Sequence, residues 1–212
     1  MLIEFVSPML HGLILAAGLV MPFGMQNVFI FNQGAAQNSI IKALPSILTA
    51  CFCDTILIVS AVLGISMIIM ENLWAKYIIF AGGGIFLFYM GYSLWIQPAK
   101  TRETRTYLPL SPTRQILFAA SVSIFNPHAI IDTVAVIGTS ALAYSGYSKV
   151  VYTITCVLVS WAWFFGLSLF GSKLNQLDKT GRMLLVINKV AALIMWAIGT
   201  YLLYQLYQFI VF

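Results

Sequence analysis

The stretch "SIFNPHAIIDTVAVIGTS" (residues 123–140) decides how this chain is read. It lies inside a long apolar segment, yet it places Asn126, Pro127, His128 and Asp132 within seven residues. Proline removes a backbone donor and clashes with the preceding turn, so a helix kinks or breaks there. Asparagine is a favoured N-cap, and proline is favoured at the first helical position. Asn126 and Pro127 therefore predict a new helix starting in the middle of an apolar span. The free N–H groups and partial positive charge of such a helix end suit an anion such as a carboxylate. His128 and Asp132 fall four apart on one face of that helix, where they would pair with each other or face a ligand.

The flanking sequence supplies the setting. The 212 residues are 61% hydrophobic and 8% charged, against about 25% charged in a soluble domain. Uncharged runs cover 77–99, 150–172 and 190–212. About 20 apolar residues cross a bilayer core as a helix, whereas barrel strands alternate in short segments. The expected fold is all-α and integral to the membrane, with about six spans near 6–31, 43–70, 77–97, 114–144, 150–171 and 189–211. A single transmembrane domain over 1–212 is expected, with halves of about 1–100 and 112–212 around the charged loop 97–113. "MLIEFVSP" has no basic n-region, so the first apolar segment is expected to remain as a helix rather than to be cleaved. Six spans place the first, third and fifth loops on one side. Those loops hold Lys42, Lys100, Arg102, Arg105, Arg114, Lys173, Lys179 and Arg182, while the other two hold only Lys76 and Lys149. The positive-inside rule then puts the odd loops in the cytoplasm and both termini outside.

Spans 1 and 4 are abnormal in the same way. Each is too long for one straight crossing, and each carries a proline near its middle, in "VMPFGMQN" (20–27) and "IFNPHAIID" (124–132). Pro22, Gly24 and Pro127 are the expected helix breaks. Laying Pro22 over Pro127 puts Asn27 on Asp132, and "GGGIFLFYMGYSLW" (82–95) aligns with "VAALIMWAIGTYLL" (190–203). Two repeating halves of three spans must have opposite orientations. Interrupted helices at matching places in inverted repeats point to a transporter site.

Asp54, in "CFCDTILI", falls about 15 Å into its span, near the midplane. A charge there costs about 2.5–3.5 kcal/mol, and such residues usually face a cavity or a partner. A substrate pathway is one explanation for Asp54; a pair with Lys42 or His11 is the other. Gln26 and Asn27 either bind a polar ligand or satisfy carbonyls freed by Pro22. Asn32, Gln33 and Gly34 either belong to the site or form the turn out of the span. "AGGG" (81–84) allows close helix approach, and "WAWFF" (161–165) is expected to face core or lipid. Cys51, Cys53 and Cys156 are expected as small apolar fillers, without a disulfide or a metal. No triad, metal cluster or phosphate loop is present in the sequence, so no enzyme, cofactor or nucleic-acid partner is expected. The lipid bilayer is the expected surrounding, and a homo-oligomer is left open. Two carboxylates, amides, an imidazole and two half-helix ends would suit a zwitterion carrying an extra cation. That describes a basic amino acid, although a proton or a metal cation would also satisfy the carboxylates.

The segments "MPFGMQNVFIFNQG" (21–34), "CDTILI" (53–58), "FNPHAIIDTVAVIGTS" (125–140) and "WFFGLSL…INKVAALIMW" resemble, in order and over nearly the whole chain, the lysine/arginine exporter family of the LysE/ArgO type. Pro22, Gly24, Gln26, Asn27, Gln33 and Gly34 fit its first motif, Asp54 its second-span Asp, and Asn126, Pro127 and Asp132 its fourth-span motif. Met25 stands where the family usually has proline, so a softer first break is expected; Cys53 stands where serine commonly precedes the Asp. The resemblance implies export of L-arginine or L-lysine across a bacterial plasma membrane, with Asp54, Asp132, Asn27, Gln26, Asn126 and His128 at the transport site. Exchange for an inward proton would cancel the charge moved, and Asp54 or Asp132 would carry it. The alternatives are export of a neutral amino acid such as threonine or homoserine, or of a divalent cation such as cadmium.

Overall fold

The computed structural model describes residues 2–21, 24–37, 39–64, 73–96, 110–177 and 182–211, and among these it is all helical. Helix α1 is Leu2–Val20 and α2 is Met25–Gln37. Helix α3 is Ile40–Val62 and α4 is Leu73–Trp95. Helix α5 is Pro112–Ile124 and α6 is Pro127–Asp132. The chain continues from α6 through a π-helical turn, Thr133–Gly138, and a 3-10 turn, Ala141–Ala143. Helix α7 is Gly146–Leu177 and α8 is Arg182–Val211.

Sequence chemistry sets the boundaries. Ser111 stands at the N-cap position of α5, with Pro112 at its first helical position. Helix α3 ends before Gly64, and α7 begins at Gly146; both glycines have positive φ, a conformation open to glycine at little cost. Three helices are long and apolar enough to cross a membrane unaided: Ile40–Val62, Gly146–Leu174 and Leu185–Gln208. Each of the two bent pairs, Phe5–Val20 with Met25–Gln37 and Pro112–Ile124 with Ala129–Ala143, would make one further span, giving up to five. Helix α4, where the third span was expected, is continuous over 23 residues. Large apolar side chains such as Ile14, Ile41, Ile56, Ile85, Leu117 and Leu158 lie exposed on the outside. A patch of that extent is foreign to a water-soluble monomer and suits lipid.

The packing order has a pattern. Both α1 and α2 lie along α7, α5 and the π-helical turn lie along α3, α3 packs on α7, and α4 packs on α8. Directions follow from which residues meet. Gly12 meets Tyr152 and Gly34 meets Ser168, so the α1–α2 pair runs parallel to α7. The Gln115 side chain donates to the Lys42 carbonyl, and Gly138 faces the Ala61 carbonyl, so α5 and its continuation run parallel to α3. Trp95 sits under Lys189 and Gly84 against Leu203, so α4 and α8 are antiparallel.

Glycine permits the closest of these crossings. A Cβ on Gly34 would overlap the Ser168 carbonyl, and one on Gly171 would overlap the Phe31 carbonyl. Asn32, Gln33 and Gly34 therefore do not form a turn. They lie within α2, which continues to Gln37, and Asn32 donates to Asn188 Oδ1 at 3.0 Å. Gly34→Ala is expected to destabilise the protein by about 1–3 kcal/mol through overpacking. Gly166→Ala, on α7 with open space around it, should stay within about 0.5 kcal/mol. Thermal unfolding in detergent, followed by tryptophan fluorescence, checks both.

Candidate functional site

The bends at the two broken spans are 79° at the first and 60° at the second. The first break is thus the sharper one, contrary to the softening expected from Met25. The reason is visible next to it. The Asn27 side-chain amide donates to the Val20 carbonyl at 2.6 Å, satisfying an acceptor that the interrupted helix leaves open, while Val28 N–H restarts the ladder on the Gly24 carbonyl. Pro22 lies outside the described residues. At the second break Asn126 Oδ1 accepts from Ala129 N–H at 3.3 Å, with Pro127 at the first helical position. This is the cap that the sequence predicts. The side chains of Pro127 and His128 lie outside the described residues. Asp132 closes α6 just before the backbone widens into the π-helical turn, a feature frequent at functional sites.

Both breaks open onto one cavity of about 300 Å³, at the small end of the range for small-molecule sites. Its lining brings together Gly24, Gln26 and Asn27 from the first break, Asn126, Asp132 and Thr133 from the second, and Asp54 from α3. Six of the expected positions are thus assembled from three separate segments of the chain. Gln26 is 7% exposed, and its Nε2 has no hydrogen-bond partner among the described residues. A buried donor left unpaired costs about 1–3 kcal/mol, which a polar guest would recover. The opposite walls are apolar: Leu87 from α4, Ile194 and Ile198 from α8, and Ile58, Ile137 and Phe164.

Asp54 does not depend on either partner considered for it. Its Oδ2 accepts from the Ser160 hydroxyl of α7. His11 instead shares a 2.8 Å hydrogen bond with the Tyr144 hydroxyl, and Lys42 is exposed. Within "WAWFF", Trp161 Nε1 donates to Thr55 Oγ1 at 2.9 Å, and Phe164 is core. Of the three free cysteines, Cys156 lines the cavity, whereas Cys51 is buried and Cys53 half-buried in α3. Among the described residues no three His, Cys, Asp or Glu side chains come together to hold a metal ion.

The sequence profile described as LysE type translocator matches residues 17–206. The chain belongs to the LysE family. A Bacillus subtilis (strain 168) protein named "Putative amino-acid transporter YisU" is 46% identical over 92% of this chain and 88% of its own. The arginine exporter protein ArgO of Enterobacter sp. (strain 638) is 29% identical over 89% of this chain and 90% of its own. ArgO of Escherichia coli (strain K12) is 28% identical over the same shares. No solved structure matches the chain. This LysE-family protein is a membrane transporter and not an enzyme.

Ser160, Thr133 and the apolar wall of α4 and α8 escaped the sequence reading of this LysE-family chain. A lone serine in "VLVSWAW" carries no signal, because nothing in the sequence aims it at Asp54 across an interface. The capping role of Asn126 is open to test. Asn126→Ala should cost about 0.5–2 kcal/mol of stability and Asn126→Ser much less, measured as the thermal unfolding midpoint in detergent.

Proposed function

We propose that this protein exports basic L-amino acids, arginine or lysine, across the bacterial plasma membrane in exchange for protons, by alternating access around the mid-membrane cavity. The observation that carries this is the composition of that cavity. It holds two carboxylates, Asp54 and Asp132, one from each half, and among the described residues its lining has no Lys, Arg or His. A substrate with a net positive charge offsets a charge that is expensive to keep in a membrane. The side-chain amides of Gln26 and Asn126, with the half-helix end that Asn126 caps, are suited to the substrate carboxylate. The names of the ArgO relatives point the same way.

The six-span plan of two inverted three-helix halves, with both termini outside, belongs to the same proposal. Two observations support it. The packing partners exchange when the halves are exchanged: the first broken span lies on α7 and the second on α3, while α3 meets α7 and α4 meets α8. The directions agree too, since six alternating spans require the first to be parallel to the fifth and the second to the fourth. Coupling follows from charge. Moving one positive charge outward against 100 mV costs about 2.3 kcal/mol, and an inward proton cancels it.

Proteoliposomes loaded with radiolabelled L-arginine should release it, with competition by lysine and acceleration by an inward proton gradient. Asp54→Asn and Asp132→Asn should each lower the rate at least about tenfold, the loss of one charge-assisted contact. Replacing all three cysteines with serine should leave arginine efflux near wild type. Transport of threonine or Cd²⁺ in place of arginine would overturn the substrate assignment, and indifference to the proton gradient would overturn the antiport.

A further inference from the structure

We propose that Ser160 is a positioning residue for the Asp54 carboxylate, fixing which of its oxygens faces the transport site. Two side-chain links join α3 and α7 at this level. Ser160 donates to Asp54 Oδ2, and one residue further along both helices Trp161 donates to Thr55 Oγ1. The two links differ in what they face. Asp54 and Ser160 both line the cavity, whereas Thr55 and Trp161 do not. Trp161 stands edge-on to Phe52, which is 56% exposed, so that second link looks toward lipid.

Ser160 is 2% exposed. Its hydroxyl is committed to the carboxylate, and alanine, which lacks that one oxygen, would leave the carboxylate free to rotate away from the cavity. With Oδ2 held, Oδ1 is the oxygen available to a cationic group. A hydroxyl donates to a carboxylate and accepts from a carboxylic acid, so the link persists in either charge state of Asp54. Among the described residues, the other titratable groups around the pair are Cys51 and Cys53 on the same helix, Cys156 on α7 and Asp132 on α6; none of these offers a competing cation.

The inference rests on the transport reading above only for its second readout. The first is infrared difference spectroscopy of the protein in lipid vesicles, with the Asp54 carboxyl band assigned by its loss in Asp54→Asn. The second is the KM for L-arginine efflux. Ser160→Ala should shift the Asp54 band and raise KM about tenfold, the scale of one charge-assisted hydrogen bond. Ser160→Thr, which keeps the hydroxyl, should restore both. Thr55→Val breaks the neighbouring link outside the cavity and should leave both at wild type. If Ser160→Ala does not reconstitute, Ser160→Cys gives the same comparison with a weak S–H donor. An unmoved band in Ser160→Ala, or equal effects from Thr55→Val, would overturn the proposal. A shifted band in a protein that moves no arginine would uphold the link and overturn the transport reading instead.

Discussion

Lipid gives a broken helix no hydrogen-bond partner, so a backbone group freed at a break must be satisfied by the protein or by the cavity it lines. The rest of this structure follows from how two asparagines meet that demand. At the first break the side chain of Asn27 donates to a helix-end carbonyl, that of Val20. At the second the side chain of Asn126 accepts from a helix-start N–H, that of Ala129. One amide chemistry serves both ends because the side chain offers both a donor and an acceptor. The breaks bend the chain by 79° and 60°, and residues from both of them line one cavity.

The cavity is the consequence. The α1–α2 pair lies against the unbroken helix α7, α5 and its continuation lie against the unbroken helix α3, and α3 and α7 meet each other. The lining comes from widely separated parts of the chain, with Gln26 and Asp54 before the charged loop 97–113 and Asn126, Asp132 and Ser160 after it. Apolar walls from α4 and α8 complete it. Among the described residues the outside carries many large apolar side chains, while the carboxylates Asp54 and Asp132 and the amides of Gln26, Asn27 and Asn126 line the cavity.

Much of this was legible in the sequence because the signals are costly there. A carboxylate such as Asp54 or a proline such as Pro127 in mid-span has to be explained, and the capping preference of Asn126 led directly to the observed N-cap. Asn27 was open between two roles, and the structure shows its amide on the Val20 carbonyl and the residue in the cavity lining. Other features left no trace. Ser160 looks like any small residue of a membrane helix, and its importance comes from a helix 106 residues away in sequence. Gly34 was open between the site and a turn, because its use, letting α2 approach α7, depends on a crossing that local sequence does not encode. The first break was expected to be soft from a missing proline, but the sharpness of a bend depends on whether freed groups find partners, and Asn27 supplies one.

The most direct test of the account is whether the cavity between the halves is reached by water and filled by substrate. In a variant with Cys51, Cys53 and Cys156 replaced by serine, Ala129→Cys would place a single thiol on the cavity wall. The measurement is its rate of modification by a small cationic thiol reagent in membranes, with and without L-arginine. The account predicts that the thiol is modified and that arginine slows the reaction, whereas glycine does not. No modification, or modification at the same rate in saturating arginine, would contradict a shared cavity that binds a basic amino acid.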